Sequence, residues 1–244
     1  MKIGVRALPI VLFSYLNTSC ALGQKHIINQ DALWTSYSLK LKLNDNYQIR
    51  QELDQRNYRN PWRQQQVLSR TNLEHQLGNG WTTAVGITGV LQALPNDPEV
   101  KDYYTQKEIR PQIELAYKQT LSEKFLVHHR FWSEFRFLET EPDSYTYANA
   151  RLRYKIELKY TPLKKVSLKA FDELFINAGS SIVNNVFDQN RIGTNIQFMP
   201  LDHLGFEIGY FNLFQQQKSG VDFYNRDIIK FTIHHTITVK KNKA

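Results

Sequence analysis

Residues 127–139, VHHRFWSEFRFLE, separate into two interleaved sets. Val127, His129, Phe131, Ser133, Phe135 and Phe137 form one; His128, Arg130, Trp132, Glu134 and Arg136 form the other. A period of two is that of a β-strand, whose successive side chains point to opposite faces, and it excludes an amphipathic helix here. Either the charged set faces solvent, as in a soluble sandwich, or it faces a lumen while the apolar set faces lipid.

The same alternation recurs along the chain at about 31–43, 47–57, 64–77, 81–92, 104–118, 124–138, 147–160, 166–177, 187–198, 204–215 and 226–239. Most of these segments exceed the usual five or six residues of a globular strand and match the roughly 9–11 needed to cross a bilayer at a tilt. Short polar turns at 44–46, 78–80, 120–123, 161–165 and 200–203 alternate with longer connections at 57–63, 93–104, 139–146, 177–186 and 215–226. A soluble meander has no reason to sort its loops by length; an outer-membrane barrel keeps short turns on one rim and long loops on the other. The expected fold is therefore all-β, a single antiparallel transmembrane β-barrel of about 10–12 strands with a charged lumen and an apolar exterior.

Parity assigns Leu39, Val85, Ile87, Ile113, Leu152, Ile156, Ile192, Ile208 and their neighbours to the outside. To the inside it assigns a lumen charge network of Arg50, Glu52, Arg70, Glu74, Glu108, Arg110, Glu114, Arg130, Glu134, Arg136, Arg151, Arg153, Glu157, Glu173, Arg191 and Glu207. The mid-strand cations are mostly arginine, whose planar fork can hold two carboxylates and tolerates an enclosed site better than an ammonium. Lysines gather nearer the turns, among them Lys40, Lys118, Lys159, Lys164 and Lys165. Tyr47, Trp81, Tyr117, Phe125, Tyr160, Phe198 and Phe206 flank the short turns, where rings suit the headgroup level.

The first residues read as a secretory signal: Lys2 and Arg6, an apolar stretch from Ala7 to Leu16, then Ala21-Leu22-Gly23 ahead of a mature start at Gln24. Residues 1–23 are thus expected to be a signal peptide and 24–244 the barrel. Cys20 raises the alternative of lipoprotein processing, but no apolar residue stands three places before it. Removing Lys2 and Arg6 from the formal +8 leaves the rest strongly basic, yet an export signal argues against nucleic acid as the partner. No apolar run is long enough for a transmembrane helix, a test that a barrel escapes.

Taken in order, Trp34, Glu108-x-Arg110 with Gln112 and Glu114, Arg130-x-x-x-Glu134-x-Arg136, Arg151-x-Arg153-Tyr154, Glu173-Leu174-Phe175 and Gln189-Asn190-Arg191 make a pattern. It resembles the family known as domain of unknown function 2490, predicted bacterial outer-membrane barrels, over essentially the whole mature chain. The resemblance implies an outer-membrane address and a lumen of paired charges, and no activity. Three features depart from the expected pattern. Eleven segments is an odd number where bacterial barrels are even. Pro111 inside a strand removes a ladder hydrogen bond and asks for a bulge. The final ITVKKNKA lacks a terminal aromatic residue.

The function expected is a structural outer-membrane barrel or a narrow channel, with the arginines as a path for a small anionic solute. Its other partners would be outer-membrane lipid, lipopolysaccharide and the barrel-insertion machinery; a monomer without cofactor or bound metal is expected. A lipid-modifying enzyme would need Ser133 within reach of a histidine, but His129 stands four residues away on the same strand, roughly 13 Å off, and His75 could approach only from a neighbouring strand. A secreted soluble β-barrel binding protein is the remaining alternative. His128-His129 and His234-His235 cannot chelate as pairs, because neighbours on a strand face opposite ways.

Overall fold

A computed structural model describes residues 25–239; the expected signal segment, Cys20 and residues 240–244 lie outside the described residues. Eleven strands follow one another: β1 (His26–Lys42), β2 (Tyr47–Tyr58), β3 (Arg63–Gly78), β4 (Trp81–Leu94), β5 (Tyr104–Thr120), β6 (Phe125–Glu141), β7 (Ser144–Leu163), β8 (Val166–Ala178), β9 (Phe187–Leu201), β10 (Leu204–Gln216) and β11 (Asp222–Thr238). Each pairs with its sequence neighbours, and β11 closes on β1 to make a barrel.

The closure corrects the purely antiparallel expectation. Consecutive strands are antiparallel, but β1 and β11 run parallel, in register from His26↔Asp222 to Lys42↔Thr238. An odd number of up-and-down strands leaves the first and last pointing the same way, so the odd count is a property of the fold and not a miscounted strand. Residues 26–30, ahead of the first expected segment, pair with β11 and belong to the wall.

Two further expectations change. The connection at 139–146 is no long loop: β6 and β7 run on until Glu141 pairs with Ser144, leaving only Pro142 and Asp143 to turn, with Asp143 at φ 61°. Pro111 produces no bulge. On the β6 side the ladder lapses after Ile109↔Phe137 and resumes at Gln112↔Glu134 in the same register, so the missing N–H costs a gap in pairing instead of an extra residue. At the opposite rim, Asn79 and Gly80 both take positive φ (49° and 85°) between the paired Gly78 and Trp81. Asn-Gly is the two-residue turn whose twist matches the strands it joins.

The apolar parity points outward, with Val85 at 55%, Ile113 at 53%, Phe131 at 50% and Ile192 at 57% exposed. Rings meet across strands at the short-turn rim: Tyr47 stacks on His75 at 4.4 Å, Trp81 on Tyr117 at 4.7 Å and Phe125 on Tyr160 at 4.6 Å. Polar side chains on the outer parity bond one another, as Asn190 does to Asp172 (2.5 Å) and Tyr210 to Asp227 (2.7 Å). Inside, the seam sector is apolar, with Ala32, Trp34, Phe211, Leu213 and Ile228 packed together.

Candidate functional site: a charge-paired septum

The strand period aims the network residues inward, and the barrel then brings residues distant in sequence within bonding reach. On β5 and β6, Glu108 receives Arg110 through both oxygens (2.7 and 2.7 Å) and Arg136 likewise (2.5 and 3.0 Å). Glu134 accepts from Arg151 at 2.7 and 2.5 Å and from Arg153 at 3.1 Å. Glu173 accepts from Arg130 at 2.8 Å and Arg153 at 2.7 Å, with Arg191 farther off at 4.0 Å. Arg50 reaches across from β2 to Glu114 on β5 at 2.7 Å, and holds Glu74 at 2.9 Å. Arg70 pairs with Glu52 at 2.7 Å and touches Thr88 at 3.2 Å. Thr88 then donates to Gln112, and Gln112 to Asn72, at 2.8 and 2.6 Å.

Glu157 and Glu207 belong to a different set. They lie toward the short turns and take lysines: Lys155 on Glu157 and Lys169 on Glu207, both at 2.6 Å, with His234 at 3.4 Å from Glu207.

At the centre stands Trp132, 2% exposed. Three guanidinium groups from three strands surround its ring: Arg153 at 4.0 Å, Arg70 at 4.6 Å and Arg130 at 4.8 Å from the centroid. Arg56 covers Trp34 at 3.7 Å in the same manner. Desolvated cations over indole faces gain about 2 kcal/mol each, so the aromatic rings offset part of the repulsion among the arginines. Glu134 and Thr88 are inaccessible to solvent (0% each), although both face the interior. Side chains therefore fill the barrel at this level and form a septum.

The long-loop mouth is also covered. Arg63 donates to the carbonyls of Pro95 (2.6 Å), Asp97 (2.6 Å) and Val100 (2.9 Å), and Gln30 on β1 reaches Asn96 at 2.8 Å. The β4–β5 connection is thus drawn inward across the opening.

Several participants escaped the sequence reading. Asp188 bonds Arg151 at 3.2 Å because the β8–β9 register shifts beside it, turning adjacent residues Asp188 and Gln189 both inward; strict alternation hides this. Arg56 pairs at 3.0 Å with Asp54, which alternation does place on the inward face. Arg226 bonds Gln30 and Gln215 at 2.7 and 2.8 Å.

The residues weighed for lipid chemistry lie on the outer wall. His129 bonds the Tyr154 hydroxyl at 2.9 Å. His75 sits on β3, with β4 and β5 between it and the Ser133 strand β6. His235 bonds Tyr37 at 2.8 Å while His234 faces inward. Among the described residues, no cluster of three or more His, Cys, Asp or Glu side chains is placed to hold a metal.

A family model described as "Protein of unknown function (DUF2490)" matches residues 31–225. The chain belongs to that family. Among solved structures, the DUF2490 chain is similar to "NanC porin structure in rhombohedral crystal form", at TM-score 0.51 and 10% sequence identity, over 84% of this chain and 99% of that one. At that identity the likeness is one of fold. No curated protein matches the DUF2490 chain.

Proposed function

We propose that this protein is an exported outer-membrane β-barrel whose resting lumen is closed by its own ion pairs, so that it is a wall protein first and conducts only if the septum rearranges. One inversion supports both halves of this reading: Val85 and Ile192 on the outside are 55% and 57% exposed, while the inward carboxylate Glu134 is 0% exposed. A continuous apolar belt is intolerable in water and is what hydrocarbon requires. The outward Asn, Asp and Tyr groups bond one another, as polar groups in a low-dielectric wall must.

In this reading lipid and lipopolysaccharide cover the belt, and the envelope's insertion machinery delivers the chain. One copy suffices, because a closed barrel has no free strand edge. The short turns face the periplasm and the covered long-loop mouth faces outward. The arginines expected to form an anion path are engaged by carboxylates, which favours the structural role over an open arginine-lined pore.

Heat-modifiable gel mobility of the detergent-extracted protein tests the barrel, and planar-bilayer conductance tests the septum. The expected result is a folded form of shifted mobility and a silent trace. A steady open-channel current from the native protein refutes the closed lumen, and mobility insensitive to heating refutes the membrane barrel.

A further inference from the structure

Below the septum the interior changes character. Along β1 the inward residues pass from buried Trp34 and Ser38 to exposed Lys40, and along β5 from buried Glu114 and Ala116 to exposed Lys118. The lumen therefore opens toward the short turns as a blind vestibule. In the septum nearly every guanidinium meets a carboxylate, and structural need explains that pairing. At the level of the vestibule Lys159 lies opposite Lys169 and Lys40 opposite the septum's Arg50, two pairs of like sign, while Lys118 lies opposite the imidazole of His128. Directly opposed side chains have Cβ atoms about 5 Å apart, and like charges there destabilise a sheet.

Lys169 is answered by Glu207 at 2.6 Å. Among the described residues, Lys40, Lys118 and Lys159 form no ion pair with a carboxylate; Lys40 feels the attraction of Glu74, itself held by Arg50 at 2.9 Å, against repulsion from Arg50, Lys118 and Lys169. These ammonium groups come from β1, β5 and β7, on different sides of the barrel, at one level of the lumen, and packing gives no reason to gather them there.

We propose that the short-turn end of the lumen is an anion-binding vestibule in which Lys40, Lys118 and Lys159 together hold a small soluble oxyanion carrying two or more negative charges. Ammonium groups on flexible stems are point charges with rotatable donors, unlike the planar fork of arginine, and suit oxyanions of varied shape. The ligand is a solute and not a lipid headgroup, because the outward neighbours at this level are Leu39, Tyr117 and Leu158. The proposal holds whether or not the septum ever conducts, since the vestibule is reached without crossing it.

The test is calorimetric titration of the full-length folded protein, in zwitterionic micelles, with inorganic tripolyphosphate. Binding is expected at one ion per barrel. Lys118→Gln with Lys159→Gln should weaken it by at least about tenfold, the loss of one charge-assisted hydrogen bond. Lys101→Gln with Lys218→Gln removes the same charge from the long-loop connections and should leave affinity unchanged. Should the first pair fail to show heat-modifiable folding, Lys40→Gln alone must weaken binding measurably. Undetectable binding to the native protein, equal affinity in the folded vestibule variant, or an equal loss in the long-loop variant overturns the proposal.

Discussion

Glu134→Gln is the most informative perturbation of the septum. The change keeps the side-chain shape and removes one charge from a site with 0% exposure. That carboxylate receives three hydrogen bonds, two from Arg151 (2.7 and 2.5 Å) and one from Arg153 (3.1 Å). Breaking a buried ion pair by deleting one partner costs about 3–5 kcal/mol. Here both arginines keep a second carboxylate, Asp188 at 3.2 Å for Arg151 and Glu173 at 2.7 Å for Arg153. The expected loss is therefore at the lower end, about 3 kcal/mol, and the amide N–H₂ left facing a guanidinium prevents it from being smaller. In urea titrations of vesicle-inserted protein, read by the folded fraction on unheated gels, a slope of about 3 kcal/mol/M would lower the midpoint by about 1 M. Adding Arg151→Gln to Glu134→Gln should recover part of the loss, with a coupling of at least about 1 kcal/mol. A single variant within about 0.2 M of the parent, or strictly additive variants, would refute the claim that paired charges hold this interior together.

Arg63→Gln removes a cation that serves three carbonyls of the β4–β5 connection. Amide exchange at Val100, which donates to Asp97 at 3.2 Å, should accelerate by at least about tenfold while the wall strands keep their protection, given about 1.5–3 kcal/mol for each bond from a charged donor; unchanged exchange would mean that the connection is held by something else. For the apolar belt proposed to face lipid, single-tryptophan forms in vesicles with brominated acyl chains should separate Trp81, 38% exposed on the outer rim, from Trp132, 2% exposed in the lumen. Trp81 emission should be quenched and Trp132 emission spared, and the reverse pattern would turn the barrel inside out.

Much of this was readable because one rule, alternation, carries through a barrel wall without needing any tertiary contact. The parity of VHHRFWSEFRFLE alone places Trp132 and Glu134 inside and Phe131 and Ser133 outside, and several strand limits follow from where alternation fails, though not the start of β1 or the β6–β7 turn. The features that stayed hidden depend on meetings that no local pattern records. Parallel closure is set by the count of all strands together. The inward turn of Asp188 comes from a register shift against β8. The reach of Arg50 to Glu114 crosses from β2 to β5, and the folding of residues 95–103 over the mouth depends on Arg63. The lysines were visible near the turns, but their opposition to one another emerges only from strand register.

The parallel seam also fixes where the polypeptide enters and leaves the wall. β1 begins at the long-loop rim beside the start of β11, and both run toward the short turns. His26 and Thr238, the first and last residues of the wall, therefore stand at opposite rims of the barrel. In an even-stranded cylinder both ends of the wall share a rim; here they face opposite ones, so that in a barrel spanning a membrane as proposed, labels attached at His26 and at Thr238 would report on two different compartments.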